Sequence, residues 1–202
     1  MSNENRPLYK NPQAAVEDRI SDLLARMTAD EKIDQMLLGP EYSELIRRLE
    51  DGTFPENGVS SVYVQSAPID ELNRIQKHIM EHTRLGIPML VAGESIHGLM
   101  CPGATTFPQA IGLGATFNKE LMAEIADIIG EEAAGVGIRQ TYAPNIDLSR
   151  DPRWGRTEEN YGEDPYLTAR LCTAYIKKVQ EHGVACTPKH YIAYGSPEGG
   201  LN

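Results

Sequence analysis

Arg150-Asp151-Pro152-Arg153-Trp154-Gly155-Arg156 puts three guanidinium groups, a carboxylate and the only Trp of the chain within seven positions. An arginine fork can hold neighbouring hydroxyls or orient a carboxylate, and an indole face can carry the apolar side of a sugar ring. The same seven residues also suit a loop stitched together by Arg–Asp pairs with no ligand at all. Further on, Thr187-Pro188-Lys189-His190-Tyr191 sets an ammonium beside an imidazole. Three roles are open to that pair: donors to ligand hydroxyls, a Schiff-base lysine activated by burial, or solvated residues without a role. Gly93-Glu94-Ser95-Ile96-His97-Gly98 offers a carboxylate, Glu94, that can accept from hydroxyls. His97 in the same string suits a histidine satisfied by local backbone at least as well as a ligand contact.

Other residues of reactive type carry less. No Lys-Ser or Lys-Thr follows the glycines between Ala110 and Thr116, so that segment does not match a phosphate loop and reads as a turn. Cys101, Cys172 and Cys186 lie far apart, with no Cys-x-x-Cys pair. Three inert thiols are expected, with neither a disulfide framework nor a metal site, and no cofactor is implied.

The elements that must position these groups are legible from periodicity. Val16, Ile20, Leu23, Leu24 and Met27 recur at helical spacing, and Thr28 and Glu31 are placed as in a capping box, so two consecutive helices are expected near the start. Strands are expected over 59–64, 89–92, 142–146 and 184–187. Between them the pattern predicts helices: one from Pro68 to about Thr83, one capped by Asn118 that buries Leu121, Ile125, Ile128 and Ile129, and one opened by Asp164-Pro165. The last buries Leu171, Tyr175 and Val179 and ends at Gly183. Strands alternating with helices argue for parallel βα units, and in a (β/α)8 barrel the functional loops follow the strand C-termini. Glu94, the Asp147–Glu159 stretch and Lys189-His190 all fall there. A complete barrel takes ~250 residues. The fold class expected is therefore α/β, the N-terminal part, about half, of a TIM-type barrel. Residues 1–58 form a helical extension, and 59–202 an incomplete barrel whose sheet edges and apolar faces are left open.

Composition narrows the partners. The 202 residues are 41% hydrophobic and 24% charged, with a net charge of −10, which opposes a phosphate backbone or an anionic lipid surface. Neither nucleic acid nor membrane is expected as a partner, and a neutral small molecule is easier to accommodate. No stretch approaches the ~20 apolar residues of a membrane helix, and Met1–Arg6 lead into no apolar run, so the expected compartment is the cytoplasm.

Four strings occur in order: GESIHG, GATTFPQAIGLGATFN, APNIDLSRDPRWGRTEENYGEDPYL and TPKHYIAYGSPEGGLN. Together they resemble family-three glycoside hydrolases, from about Tyr9 to the last residue. The resemblance implies a barrel followed by an α/β sandwich domain, and removal of terminal β-linked glucose, xylose or related sugars with retention. It makes Arg156, Lys189, His190 and Glu94 ligands of the terminal sugar, with Lys189 and His190 as donors to neighbouring hydroxyls. The substrate implied is a β-linked oligosaccharide or aryl glycoside, and the remainder of the same protein becomes a partner.

Retaining hydrolysis needs two carboxyl groups about 5–5.5 Å apart. The resemblance places both, nucleophile and acid/base, beyond Asn202, so hydrolysis by these 202 residues alone is not expected. Glu158, Glu159, Glu163 and Asp164 receive no catalytic role and read as a solvated or cap-forming loop. Many glucosidases of the family have Asp where this chain has Glu94, and the added methylene makes a pentose a substrate to consider, by a margin of ~1–3 kcal/mol. A non-catalytic carbohydrate-binding or interaction module with the same cluster, and an aldolase-type barrel using Lys189, are the competing readings.

Overall fold

The computed structural model describes residues 7–66, 68–191, 194–197 and 199. Met1–Arg6, which carry the expectation about a leader segment, and the last residues of the final string lie outside the described residues. Four strands, β1 (Ser61–Tyr63), β2 (Leu90–Gly93), β3 (Gln140–Thr141) and β4 (Ala185–Cys186), form one parallel sheet in the order β1-β2-β3-β4. Register pairs Tyr63 with Ala92, Ala92 with Gln140 and Gln140 with Ala185. Helices α4 (Ile69–His82), α6 (Lys119–Gly135) and α7 (Pro165–Glu181) make the successive crossovers, and the short α5 (Ala110–Gly114) precedes α6. This is the βα succession of the first half of a (β/α)8 barrel.

Apolar periodicity decides which helix faces turn to the sheet. Leu72, Ile75 and Ile79 of α4, Met122, Ile125 and Ile129 of α6, and Leu171, Tyr175 and Val179 of α7 are buried in one cluster with Val62, Val91 and Val184 from in and beside the strands. Each such aliphatic side chain contributes roughly 1.5–3 kcal/mol on burial. Helices α6 and α7 cross closely at Gly130, where a Cβ would stand 3.1 Å from the Val179 Cα and 2.6 Å from the His182 ring. Ile128, expected on the buried side of α6, is 41% exposed instead, because the buried stripe runs through Met122, Ala126 and Ile129.

The N-terminal helices α1 (Val16–Arg26), α2 (Ala29–Asp34) and α3 (Tyr42–Glu50) precede β1. The capping box at α2 is formed: Thr28 Oγ1 accepts from Glu31 N at 3.2 Å and Glu31 Oε2 from Thr28 N at 2.8 Å. The Glu31 carboxylate also receives the Arg84 fork, Nε at 2.7 Å, while Arg84 reaches the Arg26 carbonyl at 2.8 Å, so one arginine ties α1 and α2 to the segment entering β2. The third helix fills a stretch for which the sequence reading placed no element. Its signal is present in Tyr42, Leu45, Ile46 and Leu49, and Leu45 is fully buried.

Two other departures have local causes. The glycine-rich 110–116 segment forms α5 and not merely a turn, because Gly114 packs directly against the backbone of Tyr161, where a Cβ would meet the Tyr161 carbonyl carbon at 2.8 Å. The third strand ends at Thr141 instead of running over 142–146. Pro144 has no N–H to donate, and the chain leaves the regular ladder before resuming an isolated bridge between Asn145 and Lys189. The sheet face away from the helices is open: Leu90 is 40% exposed, and Met36, Leu37 and Leu38, beside the outer edge of β1, are also exposed. Among the described residues no helix is long and apolar enough to cross a membrane.

Candidate functional site

Three strand ends deliver the groups that the sequence singles out. Glu94 follows β2 directly, Lys189 and His190 follow β4, and Arg156 comes from the long loop between β3 and α7. Lys189 Nζ meets Glu94 Oε2 at 3.1 Å, with both side chains about 15% exposed. Arg156 Nη1 lies 3.1 Å from His190 Nε2. Two contacts therefore join the four residues as Glu94–Lys189 and His190–Arg156, and the consecutive Lys189 and His190 connect the pairs.

The long loop is shaped by its own bonds. Ser149 N donates to Gly162 O at 3.0 Å and closes the loop base, Trp154 N and Thr157 N form consecutive turns, and Asn160 Nδ2 holds the Arg156 carbonyl at 2.9 Å. A 3-10 turn, Thr157–Glu159, brings Glu159 back onto Arg156, whose Nε donates to Oε1 at 2.7 Å while Nη2 donates to Oε2. Burial alone would raise the Glu159 carboxyl, but the Arg156 fork and the nearby Lys189 outweigh it and hold it below the usual carboxylate range. The same bidentate pairing with Glu159 keeps the Arg156 guanidinium protonated still more firmly than usual. Glu159 is thus part of the cluster and not the solvated loop residue that its neighbours suggested. Asp164 does cap α7, accepting from Tyr166 N and Leu167 N.

Asp147 is the residue that sequence reasoning passed over. Only 4% of its side chain is exposed, and its Oδ2 accepts from His190 Nδ1 at 2.7 Å and from His190 N at 3.2 Å. That pairing assigns the ring hydrogen to Nδ1 and leaves Nε2 a lone pair for Arg156, which has only hydrogens to give. With these partners the ring accepts from Arg156 at Nε2. The available signal was the position of Asp147 in the polar run after the third strand.

Other candidates sort differently. Trp154 is 3% exposed and meets Tyr194 edge-on at 5.5 Å, so its indole is a packing group and not an open sugar platform. Arg153 is spent on Asp151, with Nη2 to Oδ2 at 2.7 Å, and that fork with the Arg153 backbone N–H brings the Asp151 carboxyl down to about 2. His97 Nδ1 lies 3.1 Å from the Phe107 carbonyl, and Phe107 N returns a bond to His97 O, the local backbone arrangement weighed above. Ser95, next to Glu94, is anchored from behind: Tyr175 Oη of α7 donates to Ser95 O at 2.9 Å and shares a 2.7 Å contact with Ser95 Oγ. Cys101, Cys172 and Cys186 are free thiols, and burial pushes Cys172 up to about 12 and Cys186 to about 11.

A cleft of about 660 Å³ adjoins the cluster at His190, the one of the four residues in its lining, with Asp147, Arg150, Tyr191 and Ser196 among its other walls. Another, about 410 Å³, lies under α1 between Tyr9, Val16, Ile20 and Pro88; its lining is largely apolar and contains none of the four residues. The arrangement beside the cleft at His190 offers a carboxylate, an ammonium, a guanidinium and an imidazole as two contacting pairs joined through consecutive residues, a set suited to adjacent hydroxyls of a neutral polyol ring.

Comparison with known proteins is consistent across sequence and structure. The model of the glycosyl hydrolase family 3 N terminal domain matches residues 16–202. A periplasmic beta-glucosidase of Salmonella typhimurium is 35% identical over 207 residues, covering 97% of this chain and 25% of that protein. A beta-xylosidase of Formosa agariphila is 30% identical and is matched over 100% of this chain and 24% of its own length. Among solved structures, a β-glucosidase from Erythrobacter marinus superimposes with a TM-score of 0.87 at 30% identity, covering 97% of this chain and 28% of that one. A beta-glucosidase from Listeria innocua, in complex with glucose, gives 0.78 at 30% identity, with 92% and 28% covered. The chain spans about a quarter of the length of these curated relatives.

Proposed function

This chain belongs to glycosyl hydrolase family 3, and on that premise we propose that the complete protein hydrolyses terminal, non-reducing β-D-glycosidic bonds with retention of configuration. The observation that carries the reading is the linked set Glu94–Lys189 and Arg156–His190 at the C-terminal ends of the strands. Lys189 and Arg156 donate to sugar hydroxyls, while Glu94 and the His190 Nε2 accept from them. Asp147 and Glu159 keep the imidazole and the guanidinium in place. Hydroxyls entering the cluster exchange with the internal Lys189–Glu94 and Arg156–His190 contacts, so each polar group stays paired throughout binding.

These 202 residues supply the binding half of the chemistry. The nucleophile and the acid/base belong to the remaining polypeptide, which also completes the barrel and adds the sandwich domain, and the isolated chain is inactive. Glu94 reaches one methylene further than an Asp would, into the space beside the C5 substituent, which favours a xyloside over a glucoside by ~1–3 kcal/mol.

The test is kinetic. Purified complete protein, assayed against a panel of nitrophenyl glycosides, should cleave the β-xyloside or β-glucoside, and Lys189→Ala should remove most of that activity. Cleavage unaffected by Lys189→Ala, or cleavage by the 202 residues alone, would count against the assignment. Glu94→Asp should raise the glucoside rate relative to the xyloside, and an unchanged ratio removes Glu94 from the account of specificity.

A further inference from the structure

The open face of the sheet holds an arrangement that none of the hydroxyl-binding groups explains. Parallel register puts Tyr63, Ala92 and Gln140 in one row on one face, and Glu94 and Tyr142 come two residues after Ala92 and Gln140, with Tyr142 N still donating to Gly93 O at 2.9 Å. Strands β1 and β3 flank β2 and stand ~9–10 Å apart, twice the usual strand spacing. The rings of Tyr63 and Tyr142 nevertheless meet above β2, with centroids 5.7 Å apart and planes 4° from parallel. They can do so because β2 places only a methyl group between them. Ala92, beside Tyr63 in the register, is 0% exposed, while Leu90, two residues earlier on the same face, is 40% exposed. Glu94 directly follows β2 and Tyr142 directly follows β3, each one step beyond the Gly93–Thr141 pair.

We propose that Tyr142, backed by Tyr63, is a specificity-determining residue: its ring is the wall of the sugar subsite beside Glu94 and limits the size of the pyranose that Glu94 and Lys189 can hold. This rests on the reading of the cluster as a sugar site. A half-buried ring fixed by a parallel partner is a rigid boundary, unlike an aliphatic side chain that can change rotamer. The contact also has an electrical side. Burial, with Tyr63 and Glu94 as neighbours, raises the Tyr142 phenol above its ordinary range, so the wall beside the carboxylate stays uncharged at neutral and mildly alkaline pH. A pentopyranose presents no hydroxymethyl group to such a wall and a hexopyranose does, so the wall acts in the same direction as the longer arm of Glu94.

The experiment compares kcat/KM for nitrophenyl β-xyloside and β-glucoside in the complete protein carrying Tyr142→Ala, Tyr142→Phe or Tyr63→Leu. Tyr142→Ala should raise the glucoside-to-xyloside ratio about 10-fold, the size expected for space of one or two carbon groups, with the change in KM rather than kcat. Tyr142→Phe keeps the ring and should leave the ratio within about twofold. Tyr63→Leu removes the backing and should move the ratio in the same direction as Tyr142→Ala by a smaller factor; it decides the matter if Tyr142→Ala does not fold. An unchanged ratio in the variants that lose a ring, or an equal shift in Tyr142→Phe, overturns the proposal while leaving the Lys189→Ala result to stand for the sugar site. Wild-type protein that cleaves neither glycoside overturns both.

Discussion

Replacing Asp147 by Asn removes one charge from the cluster while keeping the shape of the side chain, and its effect can be worked from two distances. Oδ2 of Asp147 accepts from both His190 Nδ1 at 2.7 Å and His190 N at 3.2 Å, with 4% of the side chain exposed. A hydrogen bond to a charged group contributes ~1.5–3 kcal/mol and a neutral one ~0.5–1.5 kcal/mol. An Asn that keeps its oxygen toward His190 therefore loses about 1–1.5 kcal/mol in holding the imidazole. At 1.36 kcal/mol per decade this is about a 10-fold fall in kcat/KM. Asp147→Ala orphans two donors, each costing ~1–3 kcal/mol, and should lower kcat/KM by about 100-fold or more. The assay is nitrophenyl glycoside hydrolysis by the complete protein, with circular dichroism melts to establish that each variant is folded. The Arg156 guanidinium loses its His190 neighbour when the ring turns, so KM should rise along with any fall in kcat. If both variants stay within twofold of wild type while Lys189→Ala abolishes activity, Asp147 does not position His190 and the reasoning fails.

Glu31→Gln keeps a capping-box side chain but removes the charge that Arg84 meets, so it should isolate the acid sensitivity of the N-terminal helices. The Glu31 carboxyl is held at about 2, against 4.5 for the free group, first by Arg84 and, against the opposing effect of burial, by Thr28. A depressed carboxyl stabilises the fold fully above the unfolded value and loses that contribution as pH falls through the folded value. Urea midpoints of wild type should therefore drop relative to Glu31→Gln between pH 4.5 and about 2, and parallel curves for the two would refute the pairing. Gly114→Ala should destabilise by ~1–3 kcal/mol in chemical denaturation, because its Cβ would stand 2.8 Å from the Tyr161 carbonyl carbon, a backbone atom that cannot rotate away. A neutral Gly114→Ala would mean that α5 and the loop before α7 are not in close contact.

Periodicity and caps were enough to place most of the frame. Asn118 and Asp164 open α6 and α7 where their side-chain chemistry requires, and Thr28 with Glu31 closes the box at α2. These signals are local: a cap is read within three or four residues, and an apolar stripe repeats within two turns. The alternation of strands and helices then restricts the connections to right-handed parallel units, which is why the half-barrel could be drawn from sequence. The third strand was misplaced because Pro144, which has no N–H to donate, interrupts the ladder inside the expected 142–146 run, and regular pairing falls two residues earlier, at Gln140–Thr141. The 110–114 helix was missed because Gly114, which reads as a turn residue, serves a contact with Tyr161, 47 positions away along the chain.

The site divides along the same line. The residue types of Glu94, Arg156, Lys189 and His190, and their places after strand ends, were fixed by the order of the amino acids. Which of them touch, and what else holds them, was decided only when β2, β3 and β4 came side by side. Parallel pairing set Lys189 against Glu94, 95 residues earlier, and laid Asp147 under His190, 43 residues later. It brought Tyr63 and Tyr142 together over a methyl group and turned Trp154 inward to Tyr194. A hydrogen bond depends on ångströms and angles between side chains, and sequence separation carries no information about those distances until the sheet has chosen its register.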